Sequence, residues 1–99
     1  MMLNNPQKNH LKTLAHNLKS VVIIGANGLS ETVLAEIDQA LTHHELLKVR
    51  VNAADRDARQ SLINQISETL QAELVQRIGH IATFYRPNPE APKISLPKG

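Results

Sequence analysis

The chain has no cysteine, no tryptophan, and one tyrosine and one phenylalanine among its 99 residues. Without thiols there is no disulfide framework, thiolate metal site or cysteine nucleophile, which fits a reducing compartment. With two aromatics in all, the core has to be aliphatic. Nowhere do about 18 apolar residues run together, so no membrane-spanning helix is expected. The opening residues, Met1 to Lys8, lack the long apolar stretch of a secretion signal, and the expectation is a cytoplasmic protein. Internal repeats and low-complexity blocks are also missing. Acidic residues are absent before position 31, where Lys8, Lys12 and Lys19 stand alone.

What is present suits one globular domain. Apolar residues make up 41% of the chain, enough for a single core at this length and too many for a disordered segment. The net charge is only +2, with a sequence pI of about 9.2. Such an excess does not by itself imply nucleic acid, so placement matters more than the total. Both ends are basic: after residue 73 the chain carries Arg77, Arg86, Lys93 and Lys98 against Glu90 alone.

The stretch that organises the rest is Val21-Val22-Ile23-Ile24-Gly25-Ala26-Asn27-Gly28-Leu29-Ser30-Glu31. A β-branched run predicts a strand, and two glycines three apart allow a sharp turn and close approach to a ligand. Ser30 is suited to cap a following helix. Free backbone N–H groups and the helix dipole at such a turn can seat a phosphate. A nucleotide P-loop would need Gly-Lys-Ser/Thr here, and a dinucleotide fold a third glycine and a later acid; neither is complete. A Gly-x-x-Gly loop of this form does clamp the nucleic-acid backbone in KH domains.

Around that unit the periodicities predict helix, strand, helix, strand, helix, strand, strand. Asn5-Pro6 opens the first helix, with Asn5 as cap, an apolar stripe of Leu11, Leu14 and Leu18, and Lys8, Lys12 and His16 along another face. Lys19 extends that basic stripe towards the loop. The second helix, from about Ser30 to Thr42, buries Val33, Leu34, Ile37, Ala40 and Leu41. Leu47, Val49 and Val51 alternate with Lys48 and Arg50, which serve either as a charged sheet edge or as ligand contacts. Asp55 caps a third helix from about Arg56 to Leu70. Strands Glu73–Ile78 and Ile81–Arg86 join through a type II′ turn at Gly79-His80. Phe84 and Tyr85 must point to opposite faces, one into the core and the other either onto a base or over the sheet edge. The expected fold is α/β, a two-layer sandwich with a mixed four-stranded sheet over residues 1–86. Prolines at 87, 89, 92 and 97 then make residues 87–99 an extended, loosely ordered tail.

Catalytic chemistry is not visible. His43-His44-Glu45 lacks the His-Glu-x-x-His spacing of a helical metal site, and His10 and His16 do not share a face. No carboxylate pair stands out, and Ser20 and Ser30 have no evident base. The expectation is neither an enzyme nor a holder of metal or cofactor.

Taken together, the motifs resemble the bacterial YhbY proteins, the stand-alone form of the CRM (chloroplast RNA splicing and ribosome maturation) domain. The resemblance runs through His10-Leu11-Lys12, Leu14-Ala15-His16, Val21 to Gly25, Asn27-Gly28-Leu29, Val33-Leu34, Glu36-Ile37, His43 to Leu46, Ile78-Gly79, Tyr85-Arg86-Pro87 and Lys93 to Pro97. It implies an α/β fold and RNA binding through Gly25, Ala26, Asn27, Gly28 and Leu29 with nearby bases, and association with ribosomal RNA in precursors of the large subunit. Lys8, Lys12, Lys19 and Arg86 are the candidate bases. Where the family commonly has Gly-Lys in the hairpin, this chain has Gly79-His80, a contact that would weaken as imidazole loses its proton. The expected role is a monomeric, non-catalytic assembly factor for the ribosome. The rival is a protein-interaction module that docks on a ribosomal protein or assembly factor through the second helix and Ile94 and Leu96.

Overall fold

A computed structural model describes residues 3–25 and 28–97. The elements follow the expected order: α1 (Asn5–Ala15), β1 (Ser20–Ile24), α2 (Glu31–His44), β2 (Leu46–Val51), α3 (Arg56–Leu70), β3 (Glu73–Ile78) and β4 (Ile81–Tyr85). The helix starts follow from side chains that satisfy the orphan N–H groups of a first turn. Ser30 accepts from the Val33 N–H at 3.2 Å, and Asp55 accepts from the Ala58 N–H at 2.8 Å. For α1 the cap is Asn4 rather than Asn5: Asn4 and Gln7 form a reciprocal capping box, which places Pro6 in the first turn where it gives up no hydrogen bond.

The sheet order is β1-β2-β4-β3, with β1 parallel to β2 and β4 antiparallel to both neighbours. The hairpin turns back so that β4 enters between β2 and β3. Gly79 takes φ +58° and His80 keeps a negative φ, the combination a type II′ turn requires.

Strand alternation separates two cores. One face puts Val22, Ile24, Leu47, Val49, Val51, Ala82 and Phe84 against Ile37 and Leu41 of α2 and Ile63 and Ile66 of α3. This is the sheet-and-helix sandwich expected. The opposite face carries a smaller cluster in which Leu3, Leu11 and Ala15 pack on Leu46, Val75 and Tyr85, with Ile94 and Leu96 of the tail against it. Helix α1 therefore adds a partial third layer. It crosses the strands from β3, where the Leu3 N–H donates to Glu73 Oε2 at 2.8 Å, towards the start of β1.

Two expectations change at this second cluster. Leu14 and Leu18 are not core: both are exposed, because the buried stripe of α1 is Leu11 and Ala15. Tyr85 is buried as fully as Phe84, so neither aromatic is free to stack on a base.

The tail is held rather than loose. Glu45 follows α2 at φ +63° with its side chain fully buried. Its Oε2 accepts from the Asn88 N–H at 2.6 Å, and its Oε1 accepts from the Lys93 and Ile94 N–H groups at 2.7 and 2.8 Å. Lys93 Nζ also donates to the His43 carbonyl. Ile94 and Leu96, the anchors of the rival protein-docking reading, are thus half-buried against this protein's own second core.

Candidate nucleic-acid interface

The parallel strands β1 and β2 end side by side, and the loops that leave them meet the tip of the β3–β4 hairpin. Between them lies an open cavity of about 650 Å³, lined by Gly25, Gly28, residues 52–54, the first turns of α3 and His80. Asn52 N donates to the Ile24 carbonyl at 2.9 Å, and Val51 N to the His80 carbonyl at 2.7 Å, so all three walls are fixed by the sheet. No acidic side chain lines this cavity. Among the described residues no three His, Asp or Glu side chains converge as a metal site would need.

The glycine loop is open. Gly25 is exposed, and the Gly28 N–H donates to the Gly25 carbonyl at 3.0 Å to close a tight turn. Gly28 takes φ +74°, a conformation other residues enter at a cost. A Cβ built on either glycine meets nothing within 4 Å. Leu29 is half-buried against the main core and ties the loop to α2. Ala26 and Asn27 lie outside the described residues.

The bases around this loop differ from those expected. Residue pairing sets Ile23, Arg50, Ile81 and Ile78 side by side across all four strands, in the row just below the loop and hairpin. Ile23 and Ile78 are 61% and 67% exposed, and Arg50 is exposed, with its Nε donating to Asn52 Oδ1 at 3.1 Å. The next row includes Lys48, Thr83 and Gln76. Neither row contains an acid. Helix α1 covers only the far half of this face, so the half beside the loop is bare.

Lys8 and Lys12 border that bare half. At roughly 100° per residue they lie to one side of buried Leu11, while Gln7 and Leu14 lie to the other. The Gln7 side faces the tail, where its Nε2 donates to the Pro97 carbonyl at 3.2 Å. Lys8 and Lys12 therefore look across the uncovered strands, and α1 has no acidic residue.

Lys19 and Arg86 do not join them. Lys19 precedes β1 and the loop follows it, so five strand residues, about 16 Å, separate the two. The basic stripe of α1 does not extend towards the loop. Arg86 follows β4 at that same far end, and its side chain is only 21% exposed. Its Nη1 donates to Asp38 Oδ1 at 2.7 Å and to the Leu70 carbonyl at 2.9 Å. Its Nη2 donates to the Asp38 carbonyl at 2.9 Å and to Thr42 Oγ1 at 3.0 Å. Arg86 is a staple between β4 and the ends of α2 and α3, with its charge neutralised by Asp38. The expectation of Arg86 as a base near the loop is corrected accordingly. Arg50 was ambiguous in the sequence because only cross-strand register shows what stands beside it. His80, which stands where the family commonly has lysine, lines the loop's cavity.

Comparison with known proteins adds four findings. A family model described as the CRS1 / YhbY (CRM) domain matches residues 3–86. A Haemophilus influenzae protein named RNA-binding protein is 55% identical over 96 residues, 97% of this chain and 96% of that one. A Pseudomonas aeruginosa relative, named "Probable RNA-binding protein PA4753", is 44% identical over 93 residues, covering 94% of this chain and 89% of its own. The solution structure of the hypothetical protein SAV1595 from Staphylococcus aureus superposes with a TM-score of 0.82 at 38% identity, over 97% of this chain and all of that one.

Proposed function

This chain belongs to the CRS1/YhbY (CRM) domain family, and from that membership we propose that it is a non-catalytic RNA-binding protein whose Gly25–Leu29 loop grips the sugar–phosphate strand. In this reading residues 1–86 are the RNA-binding unit and the tail from 87 buttresses it. The RNA is ribosomal, in precursors of the large subunit, and the protein acts on it as a cytoplasmic monomer. The observation that supports the surface most strongly is an open glycine loop continuous with a sheet face that carries Arg50 and no acid in either neighbouring row.

The division of labour follows from chemistry. Main-chain N–H groups at the loop and at the start of α2 meet one or two phosphates, which glycines permit by leaving the backbone uncovered. Bases leaving the loop lie on the Ile23–Arg50–Ile81–Ile78 row, where the Arg50 guanidinium offers a stacking plane and the isoleucines offer apolar contact. Lys8 and Lys12 attract the strand from the α1 ridge, and Lys19 acts only at long range.

The test is Gly25→Glu. The position is exposed, its φ is unstrained and a side chain there has space, so the fold is kept and thermal unfolding stays within a few degrees. A carboxylate beside the phosphate seat should weaken binding of ribosomal RNA fragments at least tenfold. Unchanged affinity in a folded Gly25→Glu protein would remove the loop from the interface.

A further inference from the structure

A second surface lies at the opposite end of the sheet, along the free edge of β1. Its outer side has no neighbour, since the strand order begins there. Asn52 N donates to the Ile24 carbonyl, which makes Ile24 and, by the two-residue period, Val22 the residues whose backbone groups turn inward. The N–H and C=O of Ile23 therefore turn outward, unpaired, beside side chains of Val21 and Ile23 that are 59% and 61% exposed. Below this edge opens a cavity of about 390 Å³, walled by Leu14, Leu18, Val21 and Ile94. Three of these are large aliphatic side chains left in solvent. Lys19 and Lys48 stand on its rim, and no acid lines it.

We propose that this edge is a docking site for an extended acidic segment of another protein, which adds a strand to β1, sinks an aliphatic or aromatic side chain into the cavity and sets carboxylates against Lys19 and Lys48. An unpaired strand edge is a template for peptide backbone, and alternate side chains of the added strand fall on one face. Those on the cavity face are the apolar anchor and its acidic neighbours two residues away. The other face meets Glu36, Gln39 and His43, so the intervening residues are uncharged. The walls are aliphatic apart from His44, with no tyrosine, phenylalanine or arginine plane, and they favour a protein side chain over a nucleobase, which gains most from stacking. This site uses neither the glycine loop nor Arg50; it borders the RNA surface at Ile23 and Lys48, and its own marks are Leu18, Lys19 and Val21.

The experiment is an NMR titration of the ¹⁵N-labelled full chain with the peptides Thr-Asp-Thr-X-Thr-Asp-Thr, where X is Leu, Ile, Met or Phe. At least one peptide should shift the amides of Val21, Ile23 and Leu18, and Val21→Glu should weaken it tenfold or more. Replacing both Asp residues of the peptide by Lys should abolish the shifts. Because Val21 is exposed, the variant keeps its fold, as its remaining spectrum will show. The proposal is overturned if no peptide shifts β1 at millimolar concentration, if the lysine peptide binds equally well, or if oligouridine shifts Leu18 and Val21, which lie off the RNA row, more strongly than the peptides do. It is also overturned if those amides respond to protein concentration alone, which would make a second copy the occupant.

Discussion

Replacing Glu45 by Gln tests how the tail is attached. The carboxylate is fully buried and accepts three backbone N–H groups of residues 88, 93 and 94 at 2.6–2.8 Å. Hydrogen bonds to an ionised acceptor contribute about 1.5–3 kcal/mol each. The loss cannot exceed the free energy of docking the tail, because the released N–H groups find water. Glutamine keeps one acceptor oxygen and turns an amide against the Asn88 N–H, so about 2–3 kcal/mol of tail attachment should go. That corresponds to a 30- to 150-fold drop in hydrogen-exchange protection at Asn88, Lys93 and Ile94, with sheet amides nearly unchanged. The pH dependence has a definite sign. Burial pushes the Glu45 carboxyl up, but the three N–H bonds and the Lys93 charge outweigh it and hold the group below its ordinary value. The folded-state pKa is depressed, so this stabilisation is fully present above the unfolded value and is lost as pH falls through the folded one. After correction for intrinsic exchange, the wild-type tail should loosen in acid below the usual glutamate range, and Glu45→Gln should be flat there. A variant with wild-type protection and the same acid response would refute the clasp.

Other outcomes follow from the same contacts. Arg86→Ala removes four hydrogen bonds and the Asp38 ion pair and should cost about 2–3 kcal/mol in urea unfolding. RNA affinity, measured where the variant is folded, should stay within twofold; a large loss would return Arg86 to the interface. Gly28→Ala should destabilise by about 1 kcal/mol through φ +74° alone, whereas Gly25→Ala should be nearly neutral. If three to five phosphates are neutralised, the logarithm of RNA affinity should fall against the logarithm of salt with a slope of roughly −2 to −3.5, and Lys8→Ala with Lys12→Ala should flatten it. A slope near zero would contradict a phosphate grip.

Much of the fold could be read from local chemistry. Ser30 and Asp55 announce their helices by side chains that cap a first turn, and the alternation in Leu47–Val51 tells which residues face the helices. The cap of α1 was misread by one position because Asn4 and Asn5 offer the same side chain, and only Gln7 decides between them. What stayed hidden is non-local. The insertion of β4 between β2 and β3 depends on which strand edges meet, and with it goes the row that sets Arg50 beside Ile23. Glu45 enters the sequence reading within His43-His44-Glu45, a run without metal-site spacing, although its acceptors are filled by N–H groups more than 40 residues away. Arg86 read as a free base for the same reason, since Asp38 and Thr42 reach it only in the folded chain. The elements that flank the glycines were legible, because a β-branched run and a capping serine each act locally.

The most direct test of the central claim is to map, by amide chemical shifts, where a single-stranded ribosomal RNA fragment contacts the ¹⁵N-labelled protein. Shifts are expected at Gly25, Gly28 and Leu29, at Ile23, Arg50, Ile81 and Ile78, and along Lys8 and Lys12, with α2 and α3 quiet beyond their first turns. Shifts confined to α2 and α3, with the loop and bare strands unmoved, would contradict it.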